Sequence, residues 1–333
     1  MKTSAIITCV VETHGRASLP LLIVLFLHLL CSCSVKEQEQ SLTVLSWNVW
    51  HAGHSEAYGQ KACDNVIGIL KKSEADVILM VETYGAAPMV ADSLGYHYHL
   101  ISSNLCIYSR YPIVKEYSFP DQIGTFNFGG VEIDMDGTKV RLFDTWLHYL
   151  PDARLVPTDK PEAEILAWDD AGTRDDEIRK ILSVLQPMIA ESDSIPLIMG
   201  GDFNSYSHLD WTEATRNLYN HGGAVVGWTV SKELENARFK DSFREINPDP
   251  VQHIGTTWLS DVDSLESRDT QPCVSTHNRQ DRIDFIYYKG KNIQATASEC
   301  YDQNLGETFS FKGEDFFYAS DHGFVLTTFK IKR

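Results

Sequence analysis

From Leu42 onward, short apolar runs bounded by polar or turn-forming residues alternate with longer stretches of helical periodicity. The runs Leu42–Val49, Asp76–Val81, Asn104–Tyr108, Val140–Trp146, Ile195–Met199, Arg282–Tyr288 and Phe324–Ile331 predict strands. They are rich in β-branched and aromatic residues and too short for buried helices. The clearest helix is predicted over Thr173–Ser192, where Ile178, Ile181, Leu182, Leu185 and Ile189 share one face. Thr173 is expected to cap it, and Asp175 and Asp176 place negative charge at the positive end of the helix dipole. No solenoid-length repeat and no Pro- or Ser-rich linker interrupts the pattern after Ser41, so one α/β domain over residues 42–333 is expected.

Ahead of this pattern, Leu19–Leu30 is a continuous apolar run preceded by Lys2 and Arg16. It is too short to span a bilayer and suits the hydrophobic segment of an export signal. The run closes on Leu30-Cys31-Ser32-Cys33, which resembles a bacterial lipoprotein cleavage box. Residues 1–33 are therefore expected to be a lipoprotein-type signal peptide with Cys33 as the lipidated residue. An ordinary signal peptide and an uncleaved anchor are the alternatives. Residues 34–41 are polar throughout and are expected to form a tether. The expected location is the cell envelope, or else the periplasm or the exterior, with a lipid anchor as the sole link to membrane.

The 333 residues are 43% hydrophobic and 23% charged, which excludes a disordered or fibrous chain. The formal net charge of −17 disfavours tight nucleic-acid binding by counterion release. It leaves open an enzyme that handles phosphates through bound cations, because the metal supplies the local positive charge. Beyond the signal, Cys63, Cys106, Cys273 and Cys300 suit either two disulfides in an oxidising compartment or small buried thiols.

Chemistry collects where strands end. Asn48 closes the first predicted strand, Glu82 the second, His148 follows the fourth, and Gly201-Asp202-Phe203-Asn204 follows the fifth. Asp284 lies in the Arg282–Tyr288 strand, on the face opposite Ile283 and Phe285, and Ser320-Asp321-His322 immediately precedes the last strand. Strand ends meet at one edge of a sheet, where loops build sites on a rigid base. Carboxylates and amides are the ligands a hard dication such as Mg²⁺ prefers, whereas zinc would call for closely spaced His and Cys. His51 and His54 read as loop residues able to contact substrate. The aromatic stretch Phe309, Phe311, Phe316, Phe317 and Tyr318 reads as a strand face in the core, with an apolar rim for a lipid or sugar as the alternative.

Taken together, Ser46-Trp47-Asn48, Glu82, Ser109-Arg110-Tyr111-Pro112, the His148 segment, Gly201-Asp202-Phe203-Asn204, Asp281-Arg282-Ile283-Asp284 and Ser320-Asp321-His322 resemble the endonuclease/exonuclease/phosphatase family, in order and over nearly all of the predicted domain. Trp47–Gly53, Ser207–Thr212 and Asp241–Pro250 look like marks of a bacterial branch of it. The resemblance implies a DNase I-like four-layered α/β sandwich, two packed mixed β-sheets flanked by helices. It implies a metal, Mg²⁺ with Mn²⁺ as alternative, among Asn48, Glu82 and Asp321. Asp202 and Asn204 would hold the attacking water and the scissile phosphate or a second metal. His322 would face the phosphate with Asp284 behind it, and His148 would be a second catalytic imidazole. Arg110, Asn204, His208 and Trp258 are the candidate substrate contacts, with a structural ion pair as the equal alternative for Arg110, and Thr256-Thr257-Trp258 and His208-Leu209-Asp210 are the segments that would line the pocket.

The function expected is metal-assisted, His-assisted hydrolysis of a phosphodiester or phosphomonoester, with a DNase-like endonuclease or a non-catalytic surface binding lipoprotein as alternatives. The substrate would be a phosphorylated small molecule, a lipid or a nucleic acid, and no protein partner is indicated. Gly53-His54-Ser55-Glu56-Ala57 approaches the elbow of a serine hydrolase but lacks its closing glycine, so a different hydrolase is the weaker reading.

Overall fold

The computed structural model describes residues 39–51, 59–259 and 280–333. The predicted signal peptide, Cys33, the start of the tether, His54, the Gly53–Ala57 segment and Cys273 lie outside the described residues. In chain order the elements are β1 (Glu39–Asn48), α1 (Gly59–Ser73), β2 (Val77–Val81), α2 (Ala87–Leu94), β3 (His97–Leu100), β4 (Leu105–Ser109), β5 (Ile113–Tyr117), β6 (Phe128–Met135) and β7 (Thr138–Trp146). They continue with α3 (Glu162–Asp169), α4 (Arg174–Ala190), β8 (Leu197–Asp202), α5 (Thr229–Asn236), β9 (Lys240–Asp241), α6 (Ser242–Ile246), β10 (Trp258–Leu259) and β11 (Gln280–Asp281). The last are β12 (Asp284–Lys289), β13 (Ile293–Tyr301), β14 (Thr308–Phe311), β15 (Glu314–Phe317) and β16 (Phe324–Lys332).

Two six-stranded sheets form, in the orders β13-β16-β1-β2-β4-β3 and β5-β6-β7-β8-β12-β9. Each has one parallel pair at its centre, β1 with β2 and β7 with β8, and antiparallel neighbours outside it. Alternation along the strands builds the layers. Leu42 and Val44 of β1, Val77 and Leu79 of β2, Val140 and Leu142 of β7, and Ile286 and Tyr288 of β12 meet in a core between the sheets. The opposite faces carry Leu45, Trp47, Ile78 and Met80 against α1 and α2 on one side, and Phe143, Met199, Phe285 and Tyr287 against α4 and α5 on the other. The four-layered α/β sandwich implied by the resemblance is the architecture observed.

Several boundaries differ from expectation for local reasons. β1 begins at Glu39, inside the predicted tether, because its polar residues pair with the end of β16 and Glu39 meets Lys330 at 2.5 Å. Thr173 flanks α4 but its hydroxyl donates to the Glu177 carboxylate at 2.8 Å instead of capping a backbone N–H. Cys63, Cys106 and Cys300 are free thiols, so no disulfide forms among the described residues. Phe309, Phe311, Phe316 and Tyr318 are buried in the core over α1, and the apolar-rim alternative for them is set aside.

β8 runs through Gly200 and Gly201 to Asp202, farther than its apolar run suggested. Both glycines are steric requirements. A Cβ on Gly200 would lie 2.7 Å from Leu79 Cδ1 of the facing sheet. Gly201 has φ +134°, and a Cβ there would fall 1.9 Å from the Thr145 carbonyl oxygen of β7. Gly201→Ala is therefore expected to destabilise the fold by roughly 3 kcal/mol or more, through parting of β7 from β8. Urea unfolding measures it, and a midpoint equal to that of the parent chain would contradict this packing.

Candidate active site

The C-terminal ends of β1, β2, β7 and β8 and the N-terminal ends of the antiparallel β12 and β16 all reach one edge of the sandwich. Register then sets the partners: Trp146 lies opposite Asp202, and Asp202 opposite Asp284. The same alternation that aims Ile286 into the inter-sheet core aims Asp284 into the space where the two sheets meet.

His322 Nδ1 lies 2.9 Å from Asp284 Oδ2, and its Nε2 lies 3.9 Å from Asp202 Oδ2. The Ser320-Asp321-His322 sequence fixes that imidazole from its backbone. Ser320 Oγ donates to the Asn48 carbonyl at 2.6 Å and accepts from the His322 N–H at 3.0 Å. Trp47 Nε1 and the Tyr318 hydroxyl both donate to the His322 carbonyl, at 3.0 and 2.9 Å. Asp202 is held in turn: its Oδ1 accepts from the Asn204 backbone N–H at 2.9 Å, and its Oδ2 from the side-chain amides of Asn204 and Asn48 at 3.0 and 3.2 Å. Asn48 Nδ2 also donates to Glu82 Oε1 at 3.3 Å, so one amide joins the two halves of the site. Glu82 and Asn204 take left-handed backbone conformations, with φ 61° and 47°, a strain that tends to collect at functional positions.

Burial shifts the ionisation of this cluster. It raises Asp202 to about 7, with Asp284 adding to the rise and His322 opposing it. Asp284 is likewise raised by burial and lowered by His322. For His322, burial opposes the imidazolium, but Asp284 and Asp202 prevail and hold it well above its ordinary value. Burial raises Glu82 as well, and Asp321 raises it further by like-charge repulsion. Two carboxylates that repel across a half-open site, one of them with a buried oxygen (Asp321 Oδ1) lacking a hydrogen-bond partner, form a donor set that fits a hard dication. Asn48 differs from the expected ligand: its Oδ1 accepts from the Trp50 N–H at 3.0 Å, and its Nδ2 faces the carboxylates.

His148 lies two residues past β7. Leu147 donates its N–H to the Asp202 carbonyl at 3.0 Å and accepts from the Asn204 side chain at 2.9 Å, which ties the segment to the site. His148 Nδ1 accepts from the Leu150 N–H at 3.2 Å, so the neutral ring carries its proton on Nε2. Trp258 bridges to His322 through the backbone and stacks on its imidazole with centroids 6.3 Å apart.

Two expected substrate contacts are not brought to this edge. Arg110 follows β4 at the start of β2, a strand length or about 17 Å from Glu82. There it donates to the Tyr96 hydroxyl at 2.5 Å and pairs with Asp76 at 3.8 Å, as a structural ion pair. His208 turns to α5, with Nδ1 2.8 Å from Ser231 Oγ and Nε2 3.4 Å from Glu235.

Four further residues position the site: Thr257 and Arg282 stand in segments the sequence singled out, though not in this role, and Arg154 and Arg174 carry little sequence signal of their own. Thr257 Oγ1 accepts the N–H groups of Ile283 and Asp284, each at 3.0 Å. Arg154 lies over the Trp258 ring, 5.6 Å from its centroid. Arg282 is wholly buried between Asp210 and Asp241, two residues before Asp284. Arg174, also buried, pairs with Asp169 at 2.7 Å and donates to the carbonyls of Asn204 and Pro151, clamping the Asn204 loop to the His148 loop. The one available cue for it was an arginine at a helix start, where the dipole disfavours positive charge.

A family model described as the endonuclease/exonuclease/phosphatase family matches residues 45–322. The chain belongs to this family. An uncharacterised Caenorhabditis elegans protein, F14F9.5, is 27% identical over 325 residues, covering 93% of this chain and 98% of its own. Among solved structures, D. rerio TDP2 complexed with a single-strand DNA product superposes with a TM-score of 0.56 at 17% identity, covering 87% of this chain and 99% of that one. A family member from Leptotrichia buccalis superposes with a TM-score of 0.52 at 16% identity, covering 86% and 98%. These likenesses establish a shared fold.

In this family member the Arg174 clamp can be tested by itself. Arg174→Met leaves Asp169 buried without its counter-charge and is expected to cost about 3–5 kcal/mol in unfolding free energy. A loss below ~1 kcal/mol in a denaturant titration would show that the buried pair is not holding the two loops.

Proposed function

We propose that this chain is a divalent-cation-assisted phosphoester hydrolase that acts outside the cytoplasm, exported by the N-terminal signal. The observation that carries the reading is the Asp284–His322 contact at 2.9 Å, with Asp202 facing the far side of the same imidazole. Phosphoester hydrolysis needs neutralised charge on the phosphoryl oxygens, an oriented water and a proton for the leaving oxygen. Mg²⁺, or Mn²⁺ in its place, would be held by Glu82 and Asp321 and would supply the charge neutralisation.

The rest falls to the chain's own side chains. Asp202, kept by burial near the middle of the pH scale, suits the orientation and deprotonation of a water. Asn204, anchored through Leu147 and Asp202, offers a neutral polar group beside the phosphoryl oxygens. Asp284 fixes the His322 ring and favours its cationic form, which stabilises negative charge as it grows on phosphorus-bound oxygens. His148, whose Nδ1 is occupied by the Leu150 N–H, would use Nε2–H to donate toward a leaving oxygen on the other flank. Hydrolysis of either a diester or a monoester is compatible with this set.

Bis-p-nitrophenyl phosphate with excess Mg²⁺ is the direct assay. Chelation with EDTA is expected to abolish turnover and added Mg²⁺ to restore it. His322→Ala is expected to lower kcat about 10²–10⁴-fold with the fold intact by circular dichroism. Turnover insensitive to both treatments would exclude this mechanism.

A further inference from the structure

Nine large hydrophobic side chains are exposed among the described residues, and five of them, Tyr84, Phe126, Tyr149, Leu150 and Leu155, lie in segments at the edge that carries the site. Large apolar groups left in water and gathered at the edge that carries the site call for an explanation that isolated surface residues do not. On one flank they build a wall of rings. Phe126 meets Trp146 edge-on at 5.5 Å, Trp146 meets His148 edge-on at 6.1 Å, and His148 stacks on Tyr149 at 5.1 Å with an interplanar angle of 28°. Two of its rings are anchored: Trp146 ends β7 in register with Asp202, and the His148 ring accepts a hydrogen bond from the Leu150 N–H. It is also continuous with the site, since Leu147, between Trp146 and His148, bonds both Asp202 and Asn204. At the same edge, after the strands of the other sheet, His51 stacks on Tyr84 at 5.0 Å, and the His51 N–H donates to Glu82 at 2.9 Å.

We infer that the Trp146–His148–Tyr149 wall is a binding site for a planar aromatic or heteroaromatic ring carried by the group esterified to the phosphate, so that the preferred substrates are ring-bearing phosphoesters. The inference rests on the phosphoesterase reading for the phosphate and on ring geometry alone for the ring. Three features favour a planar solute over a lipid surface. Imidazole and phenol rings have polar edges, which a stacked solute leaves in water and an acyl phase would strip of it. Trp146 is held by strand register and His148 by a hydrogen bond, with Tyr149 stacked on His148, so little side-chain entropy is lost on stacking. The wall also begins one residue from the groups that would hold the phosphate, a spacing suited to one molecule bearing both parts.

The test is equilibrium binding with Mg²⁺ present, measured by isothermal titration with adenosine 5′-monophosphate, ribose 5-phosphate and adenosine. Stacking of a base on an aromatic side chain is expected to make the adenosine compound bind about five- to 100-fold tighter than ribose 5-phosphate. Tyr149→Ala, at a half-exposed position, is expected to reduce that ratio at least threefold, and Tyr149→Phe to preserve it. Equal affinity for the two phosphates, or a ratio unmoved by Tyr149→Ala, overturns the inference. So does a Tyr149→Ala defect found in binding to phosphatidylcholine vesicles and not in the ratio. If ribose 5-phosphate fails to bind while Tyr149→Ala still weakens adenosine, the ring site stands and the phosphoesterase reading fails.

Discussion

Placing three ionisable groups, Asp202, Asp284 and His322, within contact of one another and almost out of water is the constraint around which the molecule is organised. Isolated, any one of them would lose its charge on burial; together they share it, the imidazole taking the proton that neither carboxylate can afford to release alone. Such a cluster persists only when its surroundings over-determine it. Asn48 and Asn204 donate hydrogen bonds to its oxygens, and Thr257 and Ser320 accept them from its backbone N–H groups. Buried arginines brace it from behind, Arg282 beside Asp284 and Arg174 under Asn204.

The sheets supply the precision. Each carries a single parallel pair at its centre, and the residues that follow those strands arrive at the same edge with their alternation already set. Close contact of β8 with β7 requires Gly201, and approach of the facing sheet requires Gly200. The glycines before Asp202 are thus part of how the carboxylate is aimed. A shift of one residue in β8 or β12 would turn Asp202 or Asp284 toward the helices and empty the site.

Much of this was legible in the sequence because strands that end in polar residues advertise an edge. Asn48, Glu82, Asp202, Asn204, Asp284 and His322 were all named from that pattern and the family resemblance, and the structure brings their side chains into one network. What stayed hidden depends on contacts between distant segments. Arg110 read equally as a phosphate ligand or a structural ion pair, and only the antiparallel pairing of β4 with β2, which carries it to the opposite edge beside Asp76, decides for the ion pair. His208 faces α5, which local sequence does not announce. Arg174 and Arg154 act on residues far from them in sequence, and Thr257, read as a pocket-lining residue, instead holds the backbone of Asp284. β6, interrupted by Gly129 and Gly130, lacks the apolar run that marks a strand, yet it is fixed by full pairing with β7.

The proposed chemistry requires Glu82 and Asp321 to bind a cation beside the buried imidazole of His322. Anomalous diffraction from crystals equilibrated with Mn²⁺ and inorganic phosphate tests that arrangement most directly. The predicted result is a manganese peak between the Glu82 and Asp321 carboxylates, with phosphate density reaching His322 Nε2 and the Asn204 side chain. Manganese bound only elsewhere on the surface, with phosphate absent from His322, would contradict it.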